Sequence, residues 1–303
     1  MSNSSLAAGT LSTLTGLARE IRPQQWYKQG VLLLGITFSR NLLNPEAWTA
    51  VLFAICGFTA VAGATYVIND ISDVEADRRH PEKRHRPIAS GQVSVPVAAA
   101  FAATLLVCGF ALALAVGPLL VAVLAIYLGQ NLLYSAYIKH VLFADVISVA
   151  VGFVLRAIAG VLAIDVFLSP WLIVCTFLLA LVLALGKRRH ELGASADPER
   201  TRGTLGSYTT ESVDQLLVVV TATLLMAYAL YTFFRADATM MLTLPFAFFG
   251  LFRYHHLVHT TDIAGRPEYL LTDRPSMVNL VLWAATAIAV LYGIPSLLIG
   301  VLS

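Results

Sequence analysis

Nine stretches of the chain are apolar over most of the ~20 residues that a helix needs to cross a lipid bilayer, and no other feature narrows its fold as much. They centre on residues 27–43, 48–69, 95–115, 118–137, 141–164, 166–186, 213–234, 238–253 and 276–299. A bilayer core offers no water to unpaired backbone groups, so segments of this kind must be helices. With 58% hydrophobic and only 13% charged residues, the composition lies far from that of a soluble domain. The sequence therefore predicts an all-α polytopic membrane protein, a nine-transmembrane-helix bundle. The first and eighth runs are short or interrupted and suit segments half-buried in protein. Residues 1–25 form a tail whose Leu11, Leu14, Leu17 and Ile21 recur at helical spacing, as expected of a helix lying in the membrane interface. Residues 26–303 read as a single transmembrane catalytic domain.

Charge gives an independent test of this topology. With the N-terminus inside, only Arg40 and Arg235 among the 20 Lys and Arg fall in outside segments, and Arg156 falls within a span. Such asymmetry follows the positive-inside rule. The expected location is the cell inner (plasma) membrane, with the N-terminus, the long loops and the site cytoplasmic. Cys56, Cys108 and Cys175 all lie in apolar runs and suggest neither a disulfide framework nor a zinc cluster.

One polar stretch, Tyr66 to Ser94, interrupts this pattern at a membrane edge. It packs Asp70, Asp73, Glu75 and Asp77 together and follows them with Arg78, Arg79, Lys83, Arg84 and Arg86. If helix persists past Ile68, Asn69, Asp73 and Asp77 fall at i, i+4 and i+8 on one face, with Asp70 beside them. A helix C-terminus already carries partial negative charge, so nothing local favours carboxylates there. A bound cation resolves the conflict, and oxygen ligands that leave room for water and phosphate suit Mg²⁺. The expected substrate is then a diphosphate, with the bases beyond His80 supplying further phosphate contacts. A solvated loop explains the bases but not the spacing of the carboxylates. The crowding also implies that removing one of these charges leaves the fold intact or slightly more stable.

Three further constellations stand out. Gly186-Lys187-Arg188-Arg189-His190-Glu191 follows the sixth run, with Arg200, Arg202 and Tyr208 beyond it; it reads equally as positive-inside charge and as a phosphate clamp. Arg156 lies inside a span on nearly the same face as Asp145, about three turns away, which fits a structural pair or a polar chamber that Arg156 lines. Tyr134 and Lys139 close the fourth span, where an interfacial anchor is the plain alternative to a role in the site. His255 and His259 are at i and i+4, but no carboxylate or thiolate stands at ligand spacing.

The run Asn69-Asp70-Ile71-Ser72-Asp73-Val74-Glu75-Ala76-Asp77 resembles the NDxxDxxxD motif of the UbiA superfamily of membrane prenyltransferases. The likeness extends to Arg22-Pro23, Gln25-Trp26, Lys28, HPEKRHRPIASG, Tyr134 with Lys139, and Arg156 with Gly160. It implies a UbiA-type bundle with a Mg²⁺-diphosphate site opening to the cytosol. Asp70, Asp73 and Asp77 would be catalytic, and Asn69, Asp73 and Asp77 metal ligands. Gln25, Lys28, Arg78, Lys83, Arg86, Tyr134, Lys139, Arg156, Lys187, Arg188, Glu191 and Tyr208 would bind substrate. The chain lacks the second aspartate motif, DxxxD, of the aromatic prenyltransferases and carries GKRRHEL there. In this, and in Tyr208, Arg253-Tyr254 and Asp273-Arg274-Pro275, it is similar to the branch that joins phosphoribosyl diphosphate to decaprenyl phosphate for arabinan and cell-wall precursors. The resemblance thus implies a polyprenyl phosphate lipid and phosphoribosyl diphosphate as partners within membrane lipid, no nucleic acid, and a homo-oligomer such as a trimer. A prenyltransferase acting on an aromatic or tetrapyrrole acceptor is the alternative; a transporter is less in keeping with charges gathered at one face.

Overall fold

A computed structural model describes residues 3–194, 207–234, 238–261, 270 and 272–293. Arg200, Arg202, Arg235 and Arg266 lie outside the described residues, as does the end of the last expected span. Every regular element described is helical. The chain runs through α1 (Asn3–Glu20), a 3-10 segment (Pro23–Leu32), α2 (Leu33–Phe38), α3 (Pro45–Ser72), α4 (Val74–Arg79), α5 (Val95–Val116), α6 (Pro118–Ala136), α7 (Ala144–Ala163) and α8 (Pro170–Ala194). It continues with α9 (Thr210–Phe234), a 3-10 segment (Ala238–Thr243), α10 (Leu244–Thr260) and α11 (Arg274–Leu291).

Among the described residues seven helices, α3, α5 to α9 and α11, are long and apolar enough to cross a membrane. The protein is an integral membrane protein. The first and eighth expected spans are built differently, each a 3-10 segment running into a shorter α-helix. Composition accounts for both. Gln24, Gln25, Lys28 and Gln29 make the first polar and Gly30 is a weak helix former, and Pro245 starts α10 in its first turn because it has no amide hydrogen to give.

Helices α3 and α7 are the most enclosed, with 56% and 61% of their apolar windows buried, against 17% for α11. Lipid tails are as apolar as leucine, so close backbone approach and dispersion, more than the hydrophobic effect, hold such helices together. The tightest approach involves Gly160 of α7. A Cβ there would stand 2.0 Å from the Leu32 carbonyl oxygen, and one on Gly35 would stand 2.7 Å from the Gly160 carbonyl. These glycines let the polar 3-10 segment lie directly on α7. That contact brings Gln25, Lys28 and Gln29 into the bundle.

The stripe expected on α1 divides. Leu11 and Leu14 are exposed, whereas Leu17 packs with Ala64 and Val93 and Ile21 packs against Gly63. Gln92 Nε2 donates to the Ser12 carbonyl at 2.9 Å, so α1 also holds down the loop that carries the basic residues.

Candidate active site

Across the end of α3 the helical register survives a break. Asp73 leaves the helix at φ −93°, ψ 4° and starts α4, yet the Asp73 amide still donates to the Asn69 carbonyl at 2.9 Å and the Asp77 amide to the Asp73 carbonyl at 2.8 Å. The expected i, i+4, i+8 spacing therefore holds.

The carboxylates themselves are treated unequally. Asp70, 3% exposed, accepts from Arg22 Nη2 at 2.8 and 3.0 Å and from Arg86 Nη1 at 2.9 Å. Asp77, 2% exposed, accepts from the same Arg86 Nη1 at 2.7 Å, with Lys83 Nζ at 4.0 Å. Guanidinium groups thus neutralise Asp70 and Asp77 from within the protein, because the loop folds its bases back over α3. Asp73 differs. Its side chain is 42% exposed, with Lys139 Nζ at 3.9 Å.

A Mg²⁺ ion is implied by the spacing, and the donor chemistry fits it. Asn69, Asp73 and Asp77 offer only oxygen, one turn apart, and Asp73 opens to solvent. Among the described residues no three His, Cys, Asp or Glu side chains form a metal cage. Mg²⁺ usually takes one or two carboxylates plus substrate phosphate and water, which is what this face offers.

Below this rim a polar column runs into the bundle. Tyr66, one turn before Asp70, donates to Gln25 Oε1 at 2.9 Å, and Lys28 Nζ donates to the same oxygen at 2.9 Å. The Arg22 guanidinium lies 4.7 Å from the centre of the Tyr66 ring. Arg22 takes the left-handed conformation at φ 49°, a strained geometry for a residue with a Cβ, and its bonds to Asp70 hold it there. Arg156 lies deeper, surrounded by Gln29 and Tyr127.

A second cluster forms where α7, α8 and the start of α9 meet. Asp145 is fully buried and accepts from Arg188 Nε at 3.0 Å and from the Tyr208 hydroxyl at 2.7 Å. The Phe143 amide donates to that hydroxyl at 3.0 Å, fixing Phe143 at φ 64°. Burial, and next the hydrogen bond to the Asp145 carboxylate, push the Tyr208 phenol above its usual range, so it remains a donor. Arg188 also pairs with Glu191, and Lys187 Nζ lies 3.9 Å from Glu191. Of the two readings of Arg156 and Asp145, the structural pair does not form, since each charge finds partners on other elements.

Of the remaining expected residues, Tyr134 lies within electrostatic range of Arg188, and Lys139 Nζ lies 3.9 Å from Asp73. Arg78 turns outward to Glu75 at 2.7 Å and reaches the Ala89 carbonyl at 3.3 Å. Arg253 and Asp273 pair at 2.8 Å, while Asp273 caps α11 through the Ser276 amide. Their role is to join α10 to α11. Sequence reasoning missed Glu20, Gln29 and Tyr127, whose partners lie far along the chain and leave no local pattern.

Glu20 ends α1 buried against Asp70, and accepts from the Ile88 amide at 3.0 Å. Burial, then the neighbouring Asp70, raise its carboxyl from 4.5 to about 7. The folded state therefore holds a proton that the unfolded chain has released, so the contribution is complete below the ordinary carboxyl range and is lost as pH rises through about 7. Glu20→Gln, a permanently neutral analogue, should gain stability relative to the parent between about pH 5 and about pH 8. Detergent melting at both values checks this; an unchanged difference would mean that Glu20 does not titrate there.

The UbiA prenyltransferase family model matches residues 31–271. A decaprenyl-phosphate phosphoribosyltransferase of Mycolicibacterium smegmatis is 32% identical over 300 residues, covering 92% of this chain and 93% of that one. One of Mycobacterium tuberculosis is 32% identical over 290 residues, covering 90% and 93%. In fold, the chain is similar to a UbiA homologue of Archaeoglobus fulgidus bound to GPP and Mg²⁺, with a TM-score of 0.72 at 18% identity over 91% of this chain and 99% of that one. Sharing the motif, the bundle and this extent of identity, the chain belongs to the UbiA prenyltransferase family.

Proposed function

We propose that the protein transfers the 5-phosphoribosyl group from phosphoribosyl diphosphate to a polyprenyl phosphate, decaprenyl phosphate being the expected acceptor, and releases diphosphate. The observation that carries this reading is the near full-length identity to phosphoribosyltransferases of that name. The second cluster supports it, because Lys187 and Arg188 stand where aromatic prenyltransferases carry their second aspartate motif. The site faces the cytoplasm in this reading, where the soluble donor is found.

Asn69, Asp73 and Asp77 would hold Mg²⁺, with Asp70 in support. Bound there, the ion would supply charge neutralisation for the departing diphosphate. Lys139, beside Asp73, and Lys83 and Arg86, above Asp77, face the same group. A lipid phosphate oxygen attacks ribose C1, the C1–O bond to diphosphate breaks, and the bonding pair leaves with diphosphate. The attacking oxygen is already anionic, so no strong general base is required. Gln25, fixed by Tyr66 and Lys28, and the Arg188–Tyr208 cluster orient the donor from its two sides.

The test is release of diphosphate by the purified protein. It should require phosphoribosyl diphosphate, a polyprenyl phosphate and Mg²⁺ together, and stop on chelation. Turnover of a prenyl diphosphate with an aromatic acid instead would transfer the protein to the prenyl-transfer class.

A further inference from the structure

Glu20 is 2% exposed at the C-terminal end of α1, and no step of the proposed reaction uses it. Its Oε1 accepts from the Ile88 amide at 3.0 Å, and its carboxyl group is hydrogen-bonded to Asp70. Arg86, two residues before Ile88, meets the same Asp70 through Nη1 at 2.9 Å. Glu20 therefore holds both the loop that carries Arg86 and a carboxylate that Arg86 grips. Arg22, just beyond Glu20, reaches Asp70 as well, so the end of α1 and the basic loop converge on one carboxylate.

The loop is tied into one piece. The Ser90 amide donates to the Arg86 carbonyl at 2.8 Å and the Val93 amide to the Pro87 carbonyl at 3.0 Å, which closes residues 86–93 into a compact turn. Ile88 and Val93 are each 1% exposed. Val93 lies against Gly16 of α1, where a Cβ would stand 2.6 Å from the Val93 Cγ2. With packing this close, an apolar side chain in place of Glu20 would seat α1 without the cost of burying a carboxyl group. What the carboxyl group adds is direction, because its bonds to Ile88 and Asp70 hold only in a defined geometry.

We propose that Glu20 is a positioning residue for diphosphate binding, setting the Arg86 guanidinium at the rim through the Ile88 amide and Asp70. This rests on the reading of that rim as a diphosphate site. The Arg86 side chain is 30% exposed, so an incoming anion can reach it. A long side chain left unsupported samples many rotamers, and the entropy lost in ordering it then weakens binding.

The experiment measures KM for phosphoribosyl diphosphate and for a polyprenyl phosphate, and equilibrium binding of inorganic diphosphate with Mg²⁺, on the full-length protein in nanodiscs. Glu20→Met keeps the bulk and removes both bonds. It should weaken diphosphate by about tenfold and raise the KM for phosphoribosyl diphosphate in step, leaving the KM for polyprenyl phosphate within about twofold. Glu20→Asp withdraws the carboxyl group by one methylene and should show part of the same loss even if Glu20→Met does not fold. Glu20→Gln offers an acceptor to Ile88 and a donor to Asp70, and should bind diphosphate within about twofold of the parent. In an Arg86→Gln background neither Glu20→Met nor Glu20→Asp should have a further effect, since a residue that acts through Arg86 has nothing left to position. Leu120→Ala, in the packing at the start of α6, should melt lower with diphosphate affinity unchanged. The proposal would be overturned by parent-like diphosphate affinity in Glu20→Asp, by equal losses in Glu20→Gln and Glu20→Asp, by an undiminished loss in the Arg86→Gln background, or by a similar loss in Leu120→Ala. Failure of the parent itself to bind diphosphate with Mg²⁺ would instead overturn the diphosphate reading of the rim.

Discussion

Asp73→Asn is expected to reduce turnover by at least about 100-fold while the protein melts close to the parent temperature. Asparagine keeps the shape and a single oxygen donor but removes the charge that a divalent cation needs. Of Asp70, Asp73 and Asp77, Asp73 is also the one that the fold uses least, since its side chain is 42% exposed and Lys139 Nζ stands at 3.9 Å. An exposed pair of that kind contributes ~0–1 kcal/mol. Asp77→Asn should lose activity to a similar extent but should also lower the melting temperature. Arg86 bridges Asp77 and Asp70, so neutralising Asp77 leaves the half-buried guanidinium with one carboxylate in place of two. For Asp77, though not for Asp73, this differs from the sequence-based expectation that removing the charge is neutral or mildly stabilising. The measurement is turnover against Mg²⁺ concentration for the parent and both variants, beside melting in detergent. Normal turnover in Asp73→Asn at an unchanged Mg²⁺ requirement would refute the metal assignment.

Asp145→Ala should be among the most destabilising single changes in the chain. Asp145 is 0% exposed and is the point at which α7, α8 and the segment entering α9 are joined through Arg188 and Tyr208. Removing one partner of a buried ion pair costs about 3–5 kcal/mol, because the remaining charge stays buried and uncompensated. Arg188 would keep Glu191 alone, and the Tyr208 hydroxyl would keep the Phe143 amide but lose its acceptor. Asp145→Asn preserves the packing and should fall between the parent and Asp145→Ala. Melting of the three proteins in one detergent, with binding of inorganic diphosphate as a check on the neighbouring rim, measures the effect. A melting temperature for Asp145→Ala equal to that of the parent would show that the cluster does not hold the helices together.

The fold class was legible in the sequence because a bilayer leaves apolar segments of this length one solution, the helix. The spacing of Asn69, Asp73 and Asp77 was legible for a related reason: helical register is a local property, and the backbone bonds that carry it survive the break at Asp73. The two composite spans were visible as interruptions, through the glutamines and Gly30 in one and Pro245 in the other. Charge partnership was not legible. Arg22 meets Asp70, Glu20 meets Ile88, Arg156 meets Gln29 and Arg188 meets Asp145 across 43 to 127 positions of chain. Spacing along a single helix therefore left an Asp145–Arg156 pair open as one reading, and the packing of α7 against α8 and the 3-10 segment gave each charge other partners. By itself the sequence determined that the chain crosses a membrane and which residue types gather at the end of α3. Only the tertiary structure decided which carboxylates are neutralised by the protein's own arginines, leaving Asp73 half-exposed and, among the described residues, Arg156 without a carboxylate partner, because neutralisation requires contact within a few ångströms between groups that only packing brings together.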